Sequence, residues 1–169
     1  MAVREIVTLP NPVLRRKARK ITQFGKDFQE LVDDMIETLR AAPGVGLAAP
    51  QVGVSSRLVV VEYGDDEDEN APKKLFVVVN PDIIETSEEK VLGIEGCLSI
   101  PGLVGEVERF NRVVIKGLNR YGKPTKIKAE GWLGRIFQHE IDHLDGIVYP
   151  DRAIRVWQPK EDEEMVVAD

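Results

Sequence analysis

The chain has very little histidine and cysteine, with two histidines and one cysteine in 169 residues. A single cysteine excludes internal disulfide bonds. No apolar run approaches the roughly 20 residues that a membrane-spanning helix needs. The first residues also lack the charged start and apolar core of a secretory signal. We therefore expect a cytoplasmic protein that is not integral to a membrane.

Composition and length indicate one globular unit. Hydrophobic residues make up 43% of the chain and charged residues 31%, which is typical of a folded domain. The length suits a single domain over residues 1–169. The formal net charge of −6 argues against direct binding to nucleic acid phosphates. The acidic tail from Pro159 onwards is expected to be poorly ordered.

Both histidines lie in one pentapeptide, which has the HExxH pattern. In an α-helix four residues turn through about 400°, so His139 and His143 would project from nearly the same face, one turn apart. Two imidazoles placed in this way can share one metal ion, with Glu140 beside it. The pattern therefore predicts a helical metal site with an adjacent carboxylate.

Apolar periodicity predicts two helices and several strands. Apolar residues recur with helical spacing over 26–41, where Pro43 and Gly44 would end a helix, and again from Trp132 through HExxH, where Gly146 would end a second one. Short β-branched runs at 58–61 and 75–79 predict strands around an acidic loop at 64–72. Residues 112–118 and 125–129 predict an antiparallel hairpin. We expect an α+β fold in which antiparallel or mixed sheets pack around a central helix that carries HExxH.

The third metal ligand is not given by the helical motif. Catalytic zinc-type sites commonly use three protein ligands and leave one position open. In the longer pattern HExxHxxGxxH, Gly146 matches the glycine but Tyr149 stands where the third histidine belongs. A downstream glutamate ligand is disfavoured because the glutamates after His143 cluster in the tail. Cys97 is the remaining candidate, since a thiolate binds zinc or iron(II) well, although a lone cysteine is also a common buried apolar residue.

A glycine-rich segment at 44–53 offers a surface with few side chains. A substrate backbone could approach such a surface closely, and Gln51 would supply an amide donor there. A plain turn between helix and strand explains the same glycines. Neither GxGxxG nor a P-loop lysine is present, so the segment is not a phosphate loop.

Three segments of the chain, taken together, resemble the motifs of the peptide deformylase family in order and spacing. They are residues 44–51 (GVGLAAPQ), 95–99 (EGCLS) and 138–143 (QHEIDH), and residues 9–15 and 151–154 resemble the family as well. The resemblance implies an enzyme that removes the formyl group from the N-terminal formylmethionine of new polypeptides. Some bacterial members have a basic C-terminal helix linked to ribosome docking, whereas the tail here is acidic.

The resemblance also implies roles for individual residues. One divalent metal would be held by Cys97, His139 and His143, with iron(II) as the usual ion, while zinc, nickel and cobalt suit the same ligands. Glu140 would act as the general acid/base. Gln51 and the backbone amide of Leu98 would stabilise the oxyanion. Formylated nascent chains are the expected partners, with transient ribosome association.

An apolar pocket for the methionine side chain is predicted from helical spacing. Positions 132, 136, 139 and 143 follow one helical face, so Trp132 and Ile136 would line this pocket with Val45 and Gly46. Core packing is the alternative for Trp132 and Ile136. The sequence does not decide whether Gln138 and Asp142 contact the metal ligands.

Two other functions compete with deformylation at this stage. A zinc endopeptidase would share HExxH, but it lacks its third histidine here. A non-catalytic domain with a structural metal would need a fourth protein ligand, and it would leave Glu140 without a purpose.

Overall fold

A computed structural model describes residues 2–42, 44–64, 70 and 72–159. This part of the chain contains two α-helices and eight β-strands, together with short 3-10 turns. The helices are α1 (Lys26–Ala41) and α2 (Gly131–Leu144). The strands are β1 (Gly46–Ala48), β2 (Leu58–Tyr63), β3 (Lys74–Thr86), β4 (Lys90–Cys97), β5 (Ile100–Phe110), β6 (Arg112–Leu118), β7 (Pro124–Glu130) and β8 (Arg155–Trp157).

The strands form two antiparallel sheets. The larger sheet has the order β1-β2-β3-β6-β7, and the smaller has the order β4-β5-β8. Helix α2 contacts β1, β2, β6 and β7 of the larger sheet and β5 of the smaller one. The expected α+β fold, with sheets around the HExxH helix, is therefore confirmed.

Helix α1 has the bounds that its apolar stripe predicts. Phe28, Val32 and Met35 on this stripe are buried, where they pack with buried residues of β1 and β2. Removing this apolar surface from water stabilises the helix, since its sequence periodicity places the buried side chains on one face.

Helix α2 is buried along most of its length, from Gly134 to Leu144. Its apolar residues Ile136, Phe137 and Ile141 belong to the main core. The helix ends before Gly146, whose φ is +76°. A Cβ there would lie 2.7 Å from the backbone oxygen of Arg15, so both the conformation and the space require glycine.

The hairpin of β4 and β5 is the largest element that the apolar pattern did not predict. Its two strands are joined by a two-residue turn, Leu98 and Ser99, because Cys97 pairs with Ile100. Strand β3 also runs past the predicted end at residue 79. Asn80 has a φ of +51°, at a shift in the pairing register between β3 and β6. The side chain of Asn80 hydrogen-bonds the backbone N–H and C=O of Ile21 and so stabilises this bulge, after which the strand continues.

Some predictions fall on residues that the model leaves undescribed. Residues 65–69 and 71 of the acidic loop lie outside the described part, and so do residues 160–169 of the tail. None of the helices in the described part is long and apolar enough to span a bilayer.

Candidate metal centre

Two elements that are distant in sequence bring Cys97, His139 and His143 together. Cys97 is the last residue of β4, and the histidines lie one turn apart on α2. The three potential ligand atoms all lie within 4.8 Å of one another. Sγ of Cys97 is 3.4 Å from Nε2 of His143. All three residues are buried.

The donor set fits a tetrahedral metal ion. Zinc lies about 2.3 Å from sulfur and about 2.0–2.1 Å from nitrogen, which puts the two ligand atoms roughly 3.6 Å apart. The sulfur-to-nitrogen distance of 3.4 Å agrees with this value. Nε2 of His139 is buried and has no hydrogen-bond partner among the residues that the model describes. This nitrogen can therefore face an ion.

The pKa values of the two histidines are shifted in opposite directions. Burial alone would lower the pKa of His139, but Cys97 and Glu95 outweigh it and raise that pKa well above its usual value. Burial lowers the pKa of His143 well below its usual value, and His139 and Arg109 add to this shift. A metal ion would displace the proton of His139, because an imidazole binds a metal only in its neutral form.

Glu95 orients His139 by a hydrogen bond at the Nδ1 side of the imidazole. Its Oε1 accepts a hydrogen bond from Nδ1 of His139 at 2.8 Å, which leaves Nε2 for the metal. Burial alone would raise the pKa of Glu95, but hydrogen bonds from Arg109 and His139 outweigh it and hold that pKa well below its usual value. Sequence reasoning did not give Glu95 this role. Its position two residues before the only cysteine was the available signal.

A buried charge network extends from Glu95 away from the metal centre. Arg109 donates two hydrogen bonds to Glu95 and one to Asp142, and Arg135 donates one to Glu95. Asp142 also pairs with Arg152. Asp142 is thus tied to the support of the ligands. Gln138, in contrast, hydrogen-bonds the backbone of Phe110 and of Gly134, and within the described residues it has no hydrogen bond to Cys97, His139 or His143.

Glu140 lies against the glycine-rich strand β1. It is fully buried, and a Cβ on Gly46 would lie 2.6 Å from its Oε2 and 2.8 Å from its Cγ. Real Cβ atoms do not come this close, so the carboxylate occupies the space that the missing side chain leaves. Gly46, predicted to line the methionine pocket, is thus in direct contact with the predicted general base.

Gln51 reaches the centre from the turn after β1. Its Nε2 is 3.6 Å from Sγ of Cys97 and 3.2 Å from Oγ of Ser99. Its Oε1 accepts a hydrogen bond from the Ala48 amide, which fixes the orientation of the side-chain amide. Leu98 directly follows Cys97 in the β4–β5 turn. Both predicted oxyanion donors are therefore next to Cys97, a predicted metal ligand.

Tyr149 takes part in the centre by packing. It stands where HExxHxxGxxH proteins have a histidine, but here its ring stacks on that of His139, with 6.2 Å between centroids and 21° between planes. Tyr149 is almost fully buried. Tyr149 thus packs on the face of the imidazole and supplies no ligand nitrogen.

Three of the four predicted pocket residues, Val45, Trp132 and Ile136, belong to one apolar cluster. Val45 and Trp132 are partly buried and pack against the core that contains Ile136. Ile136 is only 1% exposed. Trp132 lies over the guanidinium of Arg135 and also lines a cavity of about 130 Å³ next to β4. Of the proposed lining, Val45 and Trp132 are therefore the side chains that retain exposure.

The family model for polypeptide deformylase matches residues 3–158. The chain belongs to the peptide deformylase family. A peptide deformylase from Symbiobacterium thermophilum is 52% identical over 97% of this chain and 73% of its own length, and one from Halothermothrix orenii is 49% identical over 92% and 97%. The crystal structure of the Ehrlichia chaffeensis peptide deformylase in complex with actinonin superposes with a TM-score of 0.85, at 39% identity over 92% of this chain and 91% of that one.

Family membership settles the class of reaction. Peptide deformylases are metal-dependent hydrolases that remove the formyl group from the N-terminal formylmethionine of newly made polypeptides and release formate. The chain is an enzyme of this kind, and the cluster of Cys97, His139 and His143 is its candidate metal site.

Proposed function

We propose that Cys97, His139 and His143 hold the metal of this peptide deformylase and that Glu140 moves the proton. The observation that carries the proposal is the meeting of one sulfur and two imidazoles within 4.8 Å, beside a buried carboxylate. One domain over residues 1–169 supplies all of these groups. No fourth protein ligand is needed, because the substrate side of a catalytic site stays open.

A bound divalent ion supplies Lewis-acid chemistry, which makes water nucleophilic near neutral pH and polarises a carbonyl group. One thiolate and two imidazoles suit iron(II), zinc, nickel and cobalt. We propose iron(II) as the ion in the cell, by analogy with the family.

Glu140 is placed to act as the general acid/base. It adjoins the ligand His139 in sequence, and its carboxylate lies against Gly46 of β1, the edge of the larger sheet. In the proposed reaction it accepts the proton of the attacking water and passes it to the departing amine. A positioned acid/base group of this kind typically contributes about 10²- to 10⁴-fold to the rate.

Gln51 and Leu98 stabilise the negative charge that develops on the formyl oxygen. Nε2 of Gln51 already points towards Cys97, at 3.6 Å from its sulfur, and can donate to an oxygen bound there. The backbone amide of Leu98 is the second proposed donor, because the residue is next to Cys97 in a tight turn. Donors fixed before the reaction are worth more than mobile ones.

Each sheet has an edge strand that reaches the candidate metal centre. β1 is an edge of the larger sheet and β4 is an edge of the smaller one, while Gly46 of β1 touches Glu140 and Cys97 ends β4. We propose that the substrate backbone pairs with these edges as an added strand. The methionine side chain would then enter an apolar pocket lined by Val45, Gly46, Trp132 and Ile136.

The proposal places the enzyme in the cytoplasm, where formylated chains are made, with transient association to the ribosome. The substrate is a chain that is still being made or has just been released, so an enzyme near the ribosome meets it early.

Formate release from formyl-Met-Ala-Ser, with metal analysis of the same anaerobic sample, tests the proposal. Glu140→Ala is expected to retain about one equivalent of metal and lose nearly all activity, whereas Cys97→Ala is expected to lose both. Cleavage of internal peptide bonds in a control substrate would indicate an endopeptidase instead. Full metal binding with no reaction on either substrate would indicate a structural metal site.

A further inference from the structure

The segment of residues 15–20, here called the basic strap, carries five cations in six positions. This is unusual in a chain with a formal net charge of −6. Its one apolar residue, Ala18, is buried, and the five cationic residues are exposed. The protein is acidic overall, but the basic strap gives it a local positive surface.

The basic strap is held in place by its backbone. The amide of Ala18 donates to the carbonyl of Leu144 at 2.8 Å, and the amide of Arg19 donates to the carbonyl of Ser55 at 2.9 Å. The amide of Arg57 in turn donates to the carbonyl of Arg19 at 2.9 Å. Because the backbone of the strap is held, a partner would not have to order this backbone on binding.

Four of the five cations are not neutralised by the protein itself. Arg15 pairs with Asp151, but Arg16, Lys17, Arg19 and Lys20 make no ion pair or side-chain hydrogen bond within the described ranges. The nearby Arg57 is already paired with Asp145. Four exposed charges therefore remain for an external partner.

A groove of about 540 Å³ runs along the end of the basic strap. Arg19, Lys20 and Lys26 line it, with Asp27 as an acidic neighbour. The groove extends the positive surface beyond the strap itself.

We infer that the basic strap binds the phosphate backbone of RNA. A polyanion with regularly spaced charges can pair with four neighbouring cations at once, whereas a single acidic side chain cannot. A membrane surface is the less suitable partner, because interfacial segments combine cations with exposed apolar anchors, and the one apolar residue of the strap is buried. That the RNA is ribosomal rests on the proposed function.

The location of the strap suits an enzyme of nascent chains. Leu144, which accepts the bond from Ala18, directly follows the ligand His143. The strap is therefore attached to the end of the metal-bearing helix. Contact between the strap and ribosomal RNA would hold the candidate metal centre close to the ribosome surface at which new chains emerge. The inference differs from the expectation drawn from net charge, that the protein avoids nucleic acid phosphates, because net charge does not describe this local cluster of cations.

Sedimentation of the metal-loaded, full-length enzyme with purified ribosomes, over 25 to 200 mM KCl, tests the inference. The strap variant carries Arg16→Gln, Lys17→Gln, Arg19→Gln and Lys20→Gln. The matched control removes four exposed lysines from the β6–β7 hairpin and its turn, through Lys116→Gln, Lys123→Gln, Lys126→Gln and Lys128→Gln. Both variants change the net charge equally, so they separate a local site from overall electrostatics.

Wild type and control are expected to bind, with a log–log salt slope of up to about −3, since each of four neutralised phosphates of a single strand contributes about −0.7. The strap variant is expected to bind at least tenfold more weakly at 50 mM KCl, with a shallower slope. Equal binding of the strap variant and wild type would overturn the inference, and so would no wild-type binding at 50 mM KCl. Equal losses in both variants would overturn it too.

Two further measurements separate the alternatives. Formate release from free formyl-Met-Ala-Ser is expected to be unchanged in both variants, which also reports that they fold; a failure of this assay in wild type would count against the proposed function instead. Vesicles of phosphatidylglycerol and phosphatidylcholine are expected not to bind. Strap-dependent binding to vesicles but not to ribosomes would replace RNA by a membrane surface. If the fourfold variant does not fold, the pair Arg16→Gln/Lys17→Gln and the pair Arg19→Gln/Lys20→Gln repeat the test.

Discussion

The carboxylate of Glu95 lies 2.8 Å from Nδ1 of His139, on the side of the imidazole opposite the Nε2 that faces the metal centre. A carboxylate in this position fixes the tautomer and the orientation of a histidine ligand and raises its basicity. Arg109 and Arg135 hold the carboxylate in turn. The candidate metal centre is thus supported by a buried network of charged side chains.

Glu95→Gln is expected to weaken metal binding about 10- to 100-fold, the usual range for loss of such a partner. Metal affinity is measured by competition with a chelator. Asp142→Asn is the matched control, because it removes a negative charge from the same network without touching His139. An equal loss of metal affinity in both variants would mean that the network acts only through stability.

Gly46→Ala is expected to lower kcat about 100-fold while the metal is retained. The added Cβ would lie 2.6 Å from Oε2 of Glu140, so the carboxylate must move, and a displacement of about 1 Å in a catalytic group can cost about 10²-fold. The measurement is kcat for formate release together with metal content.

Gly25→Ala is the control for this change, since a Cβ at Gly25 meets nothing within 4 Å. It is expected to leave kcat unchanged. A Gly46→Ala enzyme with wild-type kcat would show that Glu140 tolerates displacement, which is incompatible with its proposed role.

Local patterns in the sequence predicted the local parts of the structure. The apolar stripe fixes α1 because helical periodicity depends only on neighbouring residues, and HExxH places His139 and His143 together for the same reason. The third member of the cluster, Cys97, could be proposed only by elimination and by the family resemblance. Its approach to the histidines depends on how a hairpin packs on α2, which no local pattern encodes.

The hairpin of β4 and β5 was missed because glycines interrupt its apolar alternation. Gly93 makes room for the guanidinium of Arg135, which would lie 2.7 Å from a Cβ, and Gly105 makes room for the ring of Tyr149 at 2.8 Å. Such glycines resemble loop residues in the sequence, yet they mark close packing between distant segments. The role of Glu95 was hidden for the same reason, since its partners come from β5 and α2.

Gln51→Ala is expected to reduce kcat by about 10²- to 10³-fold, the usual cost of losing one oxyanion donor. Gln51→Glu separates the role of Gln51 as a hydrogen-bond donor to the oxyanion from its structural role. The carboxylate can still accept the hydrogen bond from the Ala48 amide, but it cannot donate one to the formyl oxygen. It is expected to be at least as slow as Gln51→Ala. Recovery of activity in Gln51→Glu would assign Gln51 a purely structural role.

The stabilising contribution of Asp34 is expected to be lost in acid. Its side chain accepts hydrogen bonds from the Ala2 amide and from Arg4, and these lower its pKa from the ordinary value of 3.8. A carboxylate with a lowered pKa in the folded state stabilises the fold above its unfolded pKa, and this contribution is lost as the pH falls through the folded pKa. The free energy of unfolding should therefore decline as the pH falls below about 4.

Asp34→Asn should remove part of that decline, while Asp82→Asn, which changes an exposed aspartate on β3, should not. The free energy of unfolding is measured with urea at pH 7, 4 and 3, with a chelator present throughout, so that acid release of the metal does not contribute. Because the amide of asparagine does not titrate over this range, the Asp34→Asn curve should be flatter than that of wild type and lie below it at pH 7. Parallel curves for wild type and Asp34→Asn would show that the contacts of this carboxylate with the N-terminal segment do not contribute to the pH dependence.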